Sequence, residues 1–99
     1  MAVNVELRDE SGHVLAMGGG DGTIERLHHA APRTPPCLQW IDPYGDTIFN
    51  AAQSGALVAE LQAAALTLSG DDRRSVEGLV ELAQRCADGT HLYVWCVGD

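Results

Sequence analysis

The stretch from Asp42 to Asp46, DPYGD, places two carboxylates and a phenol within five consecutive positions. General acid–base catalysis uses such groups, because both can exchange protons with a substrate. The spacing does not match a calcium loop, which supplies more oxygen ligands in series. Aspartate first, proline second and glycine fourth are also typical of a type I turn. We therefore interpret Asp42, Tyr44 and Asp46 as a solvated turn that contributes to a partner-binding surface, and not as a catalytic centre.

Two other stretches contain residues with ligand-binding potential. Residues 18–22 are rich in glycine, but they match neither the G-x-G-x-x-G nor the P-loop spacing, and the chain has no lysine to reach a phosphate. His28 and His29 are adjacent, so on a strand their side chains point apart, and no acid or cysteine lies at a recurring ligand spacing from them. We predict neither a cofactor nor a metal site.

The three cysteines do not form a recognisable chemical group. Their odd number and irregular spacing exclude a full disulfide framework. A nucleophilic thiol needs a base in reach and an electropositive setting, and an acidic chain offers little of the second. We expect Cys86 and Cys96 on core faces, and Cys37 at a more accessible loop-to-strand junction. The sequence therefore predicts a protein that is not an enzyme.

The stretch THLYVWCVGD, residues 90–99, is the best indication of a working surface. On a strand, Leu92, Val94 and Cys96 share one face, while His91, Tyr93 and Trp95 point the other way. If helices cover the first face, the second carries large amphipathic side chains that are favoured at protein interfaces.

The charge balance restricts the class of partner. Fourteen acidic residues face six basic ones, all arginine, and the net charge is −8. Such a surface repels phosphate backbones and anionic lipid, so we expect neither nucleic acid nor membrane as a partner. The acidity serves either solubility or attraction to a basic protein. The start of the chain lacks a secretion signal, so we expect the protein to be cytoplasmic.

Alternation and helical spacing predict the elements that position these residues. Alternating valines and the turn sequence DESG predict a first hairpin, and β-forming residues on both sides of DPYG predict a second. Asn50 is a predicted N-cap with Gln53 as its capping-box partner, and two apolar stripes follow at helical spacing. The predicted segments are a hairpin over 1–17, a flexible loop over 18–36, a hairpin over 37–49, helices over 50–68 and 71–87, and a strand over 90–97.

This order predicts one α+β domain over residues 1–99. We expect a mainly antiparallel sheet of four to five strands, in the order β-β-β-β-α-α-β, with a two-helix hairpin packed on one face. The last strand is apolar enough to be central. Trp40 joins the aromatic face if the register of the second hairpin allows it. That face is then a mini-core under the first hairpin or the loop, a homodimer surface, or a binding surface.

The resulting function hypothesis is a protein-binding module, in its sharpest form an inhibitor or immunity-type protein that acts on a basic protein partner. The alternative is a small enzyme or ligand-binding domain with a site between the 18–36 loop and the face of His91, Tyr93 and Trp95. The predicted partner-binding residues are Trp95, Tyr93, His91, Trp40, Asp42, Asp46 and Tyr44.

Overall fold

The structure is a computed structural model that describes residues 3–30 and 36–98. It contains four strands, β1 (Asn4–Asp9), β2 (Val14–Gly19), β3 (Asp46–Phe49) and β4 (Leu92–Val97). Its four helices are α1 (Thr23–Ala30), α2 (Pro36–Trp40), α3 (Ala51–Ala65) and α4 (Gly70–Asp88). The predicted α+β class is confirmed.

The strands form one antiparallel sheet in the order β2-β1-β4-β3. The strand β4 is central, as its apolar sequence predicts, with β1 on one side and β3 on the other. Val5 lies opposite Cys96 and Leu7 opposite Val94, and all four side chains are buried. The sheet therefore turns one continuous apolar face toward the helices.

The helical hairpin of α3 and α4 covers that apolar face. The predicted N-cap of α3 is confirmed: the Asn50 side chain accepts a hydrogen bond from the backbone N–H of Gln53, whose side chain accepts one from the Asn50 N–H. The helix ends at Ala65, three residues before the predicted end, and α4 begins at Gly70, whose φ of +60° suits glycine. The buried residues that the two helices contribute to the core are Leu57, Val58, Leu61, Ala65, Val76, Leu79, Leu82, Ala83 and Cys86. Each fully buried aliphatic side chain stabilises the fold by about 1.5–3 kcal/mol relative to an exposed one.

The predicted hairpin over 37–49 is wrong in its first half, because residues 36–40 form the helix α2. Pro36 occupies the first helical position, where its missing N–H costs nothing. The Glu60 carboxylate accepts hydrogen bonds from the backbone N–H groups of Cys37, at 3.1 Å, and Leu38, at 3.0 Å. These are donors that a helix leaves unpaired at its start. Consequently β3 pairs with β4 instead of with residues 37–41.

The predicted flexible loop over 18–36 contains another helix that was not predicted, α1, which packs on α4. The Asp21 carboxylate accepts hydrogen bonds from the Thr23 N–H at 3.1 Å and from the Ser75 hydroxyl at 2.5 Å. Arg26 donates to Asp72 on α4 at 2.7 Å, and Ile24 is buried in the core. Residues 31–35 of that predicted loop lie outside the described residues. The element order over residues 3–30 and 36–98 is therefore ββααβααβ, with four helices where two were predicted.

No helix in the described parts of the chain is both long enough and apolar enough to cross a membrane.

Candidate functional site

The sheet has a second face, turned away from the helices, which we call the open face. Strand pairing assigns it Gly19 and ten residues with side chains beyond a hydrogen: Asn4, Glu6, Arg8, Val14, Met17, Asp46, Ile48, Tyr93, Trp95 and Val97. None of these ten described residues is buried, whereas the opposite face holds the core. The first hairpin extends the sheet instead of folding over it, and α1 lies in the helical layer. The described residues therefore form no mini-core on this face.

One row of side chains crosses the open face through all four strands. Glu6 lies opposite both Met17 on β2 and Trp95 on β4, and Trp95 lies opposite Ile48 on β3. Met17 and Ile48 at the two ends are 66% and 46% exposed. Directly opposed side chains on one face are close enough to contact each other. Trp95 is thus near the centre of a partly apolar surface and not at its rim.

Arg8 lies over the Trp95 ring. Its guanidinium carbon is 4.2 Å from the ring centroid, within the distance of a cation–π interaction. The same guanidinium donates from Nε to the Glu6 carboxylate at 2.9 Å and also from Nη2. The Arg8 and Glu6 side chains are only 23% and 14% exposed, so water screens this pair weakly. The Glu6 carboxylate therefore helps to hold the Arg8 guanidinium over the aromatic ring.

Next to Arg8, the open face contains a concavity of about 400 Å³, which we call the turn cavity. Its lining consists of Arg8, Asp9, Glu10, Ser11, Gly12, Ile48, Tyr93 and Trp95. The turn between β1 and β2 supplies the polar side, and β3 and β4 supply the apolar and aromatic side. It combines an aromatic wall with two carboxylates.

The Asp9 carboxylate organises the turn. It accepts hydrogen bonds from the backbone N–H groups of Ser11, at 2.9 Å, and His13, at 3.0 Å, and its other oxygen is 3.3 Å from His13 Nδ1. The hydrogen bond from the His13 N–H, together with that from Ser11, lowers the pKa of Asp9 below its usual value. Asp9 therefore remains ionised at neutral pH beside the aromatic side chains.

His91 immediately precedes β4 and lies near the turn cavity. Its φ of +57° is in the left-handed region, which is uncommon for a residue with a β-carbon. Its Nδ1 is 3.4 Å from the Glu10 carboxylate, and both side chains are about two-thirds exposed. The predicted residues Tyr93 and Trp95 thus lie on β4, and His91 lies just before this strand with Glu10 beside it.

The predicted acidic turn lies at the opposite end of the sheet from His91. The Asp42 side chain accepts from the Tyr44 N–H at 2.8 Å, and Gly45 donates to the Asp42 carbonyl at 3.4 Å, which closes the turn. Gly98 then donates to the Gly45 carbonyl at 2.8 Å, so the turn is held against the end of β4. Asp46 lies opposite Val97 and shares the open face, whereas Tyr44 is 68% exposed at the edge.

The structure places Trp40 away from the other aromatic residues. Trp40 is the last residue of α2, which contacts α1 and α3 in the helical layer, and it is 62% exposed. The prediction that it joins the open face depended on a strand over residues 37–41. Because that segment is helical, Trp40 is not part of the row through Trp95.

Groups for metal or thiol chemistry are not assembled in the described residues. Across residues 3–30 and 36–98, no three His, Cys, Asp or Glu side chains come together as a metal site, and the side chains of His28 and His29 lie outside the described part. All three cysteines are buried, including Cys37, which was expected to be accessible. Burial raises the pKa of Cys96 to about 12, and burial together with Glu60 raises that of Cys37 to about 11.

The sequence prediction missed Glu6, Arg8, Glu10, Met17 and Ile48 as parts of this surface. Glu6 and Arg8 were visible as the polar side of an alternating strand. Their position beside Trp95 follows from the pairing of β1 with β4, whose residues lie at opposite ends of the chain. No local sequence pattern predicts that pairing.

Comparison with known proteins shows no family for this chain. No family model matches it, and neither a curated protein nor a solved structure is significantly similar to it. Its function is therefore inferred from the geometry and charge of the described residues.

Proposed function

We propose that this protein is a protein-binding module that uses the open face of its sheet to hold a basic partner protein. The observation that carries the proposal is the central position of Trp95 on a sheet face where none of the assigned residues is buried. Tryptophan and tyrosine are enriched at interface centres, because they bring large contact area and a polar group. In its sharpest form, the module is a cytoplasmic inhibitor that blocks the surface it binds.

The charges on this side of the molecule support a basic partner. Glu6 and Asp46 lie on the open face, and Asp9 and Glu10 line the turn cavity. Four of the five described arginines are on α1 and α4, which leaves Arg8 as the one described arginine on the sheet side. The helical layer is acidic as well. The net charge of −8 therefore attracts a basic protein to the whole molecule, and the row through Trp95 determines where it docks.

The same charge supports the proposal that neither nucleic acid nor an anionic membrane is a direct partner. Phosphate groups require basic side chains for their neutralisation. Arg8 is already paired with Glu6, and the remaining described arginines are spread over two helices.

The alternative function, a small enzyme or ligand-binding domain, requires the 18–36 segment to meet the face of His91, Tyr93 and Trp95. The described residues of that segment form α1 and its flanks, which pack on α4 on the other side of the sheet. The described residues therefore do not bring the two halves of that site together.

Site-specific photocrosslinking in the producing cells tests the proposal. A photoreactive phenylalanine analogue replaces Ile48, which is 46% exposed on the open face, and in a matched control it replaces Leu66, which is 78% exposed after α3. We expect basic proteins to crosslink at position 48 and not at position 66. Equal crosslinking at both positions, or capture of acidic proteins alone, contradicts the proposal.

A crosslink between two copies at position 48 instead identifies the open face as a homodimer surface. Sedimentation then checks the assignment, because Trp95→Arg converts a dimer of this kind into a folded monomer.

Once a partner is captured, binding kinetics distinguish the contribution of the acidic charges from that of direct contact with Trp95. Neutralising both Asp42 and Asp46 to asparagine slows association and flattens its salt dependence, whereas Trp95→Ala speeds dissociation. Binding that strengthens with added salt shows that the acidity serves solubility alone.

A further inference from the structure

We propose that the turn cavity binds the side chain of an arginine from the partner protein. This inference rests on the proposed function, and it specifies which chemical group the open face recognises. The occupant is a guanidinium, placed between the aromatic wall of Tyr93 and Trp95 and the carboxylates of Asp9 and Glu10.

The size and lining of the turn cavity suit one long side chain. Its volume of about 400 Å³ is at the lower end of the range of about 300–1,000 Å³ for ligand clefts. Ile48, Tyr93 and Trp95 provide apolar surface for the methylene groups, and the turn residues provide acceptors for the head group. Arginine has this division of an apolar stem and a charged head.

The charges in the turn cavity leave negative charge for an incoming cation. The guanidinium of Arg8 is compensated by Glu6, to which it donates two hydrogen bonds. Asp9 is ionised at neutral pH, and the Glu10 carboxylate lies 3.4 Å from the imidazole of His91. The carboxylates of Asp9 and Glu10 are therefore available to attract the positive charge of the occupant.

Arg8 already shows the proposed contact within the protein. A guanidinium lies 4.2 Å from the centroid of Trp95 and is fixed by a neighbouring carboxylate. The occupant repeats this combination on the other side of the cavity, with Tyr93 as the ring and Glu10 as the carboxylate. A planar guanidinium can stack on a ring and bind a carboxylate with two parallel hydrogen bonds, whereas an ammonium cannot. The cavity therefore prefers arginine to lysine.

Nuclear magnetic resonance on the whole protein tests the proposal with a defined probe, N-acetyl-arginine amide. The chain has two tryptophans, so the indole N–H signal of Trp95 reports on the turn cavity and that of Trp40, in α2, is an internal control. A Trp40→Phe variant assigns the two signals. We expect a saturable shift of the Trp95 signal, with a dissociation constant on the order of millimolar for so small a ligand.

Two further probes separate charge from shape. N-acetyl-citrulline amide keeps the shape of arginine without its charge, and N-acetyl-lysine amide keeps the charge without the planar fork. We expect the arginine probe to bind most tightly, the lysine probe more weakly and the citrulline probe most weakly. Glu10→Gln weakens arginine binding about two- to fivefold, as expected for an ion pair with a carboxylate that is about two-thirds exposed, and the matched change Glu81→Gln on α4 leaves it unchanged.

Equal binding of the citrulline and arginine probes, equal shifts of both indole signals, or unchanged arginine binding by Glu10→Gln overturns the inference. These outcomes are independent of the crosslinking test. If partner capture depends on position 48 but the arginine probe does not bind, the arginine inference fails and the proposed function stands. If the probe binds and no partner is captured through the open face, the proposed function fails.

Discussion

Replacing Arg8 with alanine tests whether the contact with Trp95 and Glu6 stabilises the fold. The change removes a cation–π contact, which contributes about 0.5–1 kcal/mol at partly exposed sites. It also leaves the Glu6 carboxylate, 14% exposed, without the guanidinium that donates to it. Hydrogen bonds to charged groups contribute about 1.5–3 kcal/mol, and Glu6 recovers part of that by turning toward water.

The expected result is a loss of about 2 kcal/mol in the free energy of unfolding, measured by urea denaturation. In a domain of this size each kcal/mol corresponds to roughly 4–8 °C, so the Tm falls by about 10 °C. The matched control is Arg73→Ala, which removes an ion pair to Glu77 at 3.6 Å between side chains that are about half exposed. That change costs at most about 0.5 kcal/mol.

A double-mutant cycle of Arg8→Ala with Trp95→Leu isolates the stacking contact. The coupling energy is about 0.5–1 kcal/mol if the guanidinium rests on the ring. A coupling near zero, or an Arg8→Ala variant as stable as the Arg73→Ala control, would refute the geometry on which the open-face argument depends.

Three further predictions concern the rest of the fold. The buried thiols, Cys96 above all, react with a thiol reagent at neutral pH only after the structure opens. Added denaturant therefore accelerates labelling. Rapid labelling of Cys96 in the native state contradicts its place in the core. Hydrogen bonds, first of all the one from Ser75, lower the pKa of Asp21 to about 2 in the folded protein. Because the unfolded pKa is near 3.8, the ionised Asp21 stabilises the fold above that pH. This contribution to the free energy of unfolding is lost as the pH falls from about 4 to 2. Asp21→Asn therefore flattens the acid side of a stability-against-pH curve, and an unchanged slope argues against the hydrogen bond between Asp21 and Ser75 on α4. Gly19→Ala destabilises by more than Gly12→Ala, because both positions have positive φ but only at Gly19 does a new β-carbon meet backbone, 2.9 Å from the Val3 carbonyl oxygen; equal urea midpoints for the two variants would exclude that clash.

The elements that were predicted correctly depend on residues close together in the chain. The capping box of Asn50 and Gln53 spans three positions, and the alternation of Leu92 with Tyr93 is equally local. Short-range hydrogen bonds and alternation determine these features, so they can be predicted from a single sequence.

The two helices that were missed depend on partners far away in the chain. Residues 37–40 include tryptophan and leucine, which also suit a strand, and the N–H groups that start α2 are bound by Glu60, more than twenty positions later. The same reason explains the candidate site. Tyr93 and Trp95 were identified from alternation alone, but Arg8 and Glu6 reach them only through strand pairing across the length of the chain.

The position of β4 between β1 and β3 affects how the protein forms during synthesis. The ribosome makes β1, β2, β3 and the helices α1 to α4 before the strand that joins the two parts of the sheet. Until residues 92–97 emerge, β1 and β3 each keep an unpaired edge. The apolar side of the helical hairpin of α3 and α4 also lacks the central strand of the sheet that it covers. Pairing of residue 4 with residue 97 also has a high contact order, which slows folding. The nascent chain is therefore exposed to aggregation and to chaperone binding until its central strand has been made.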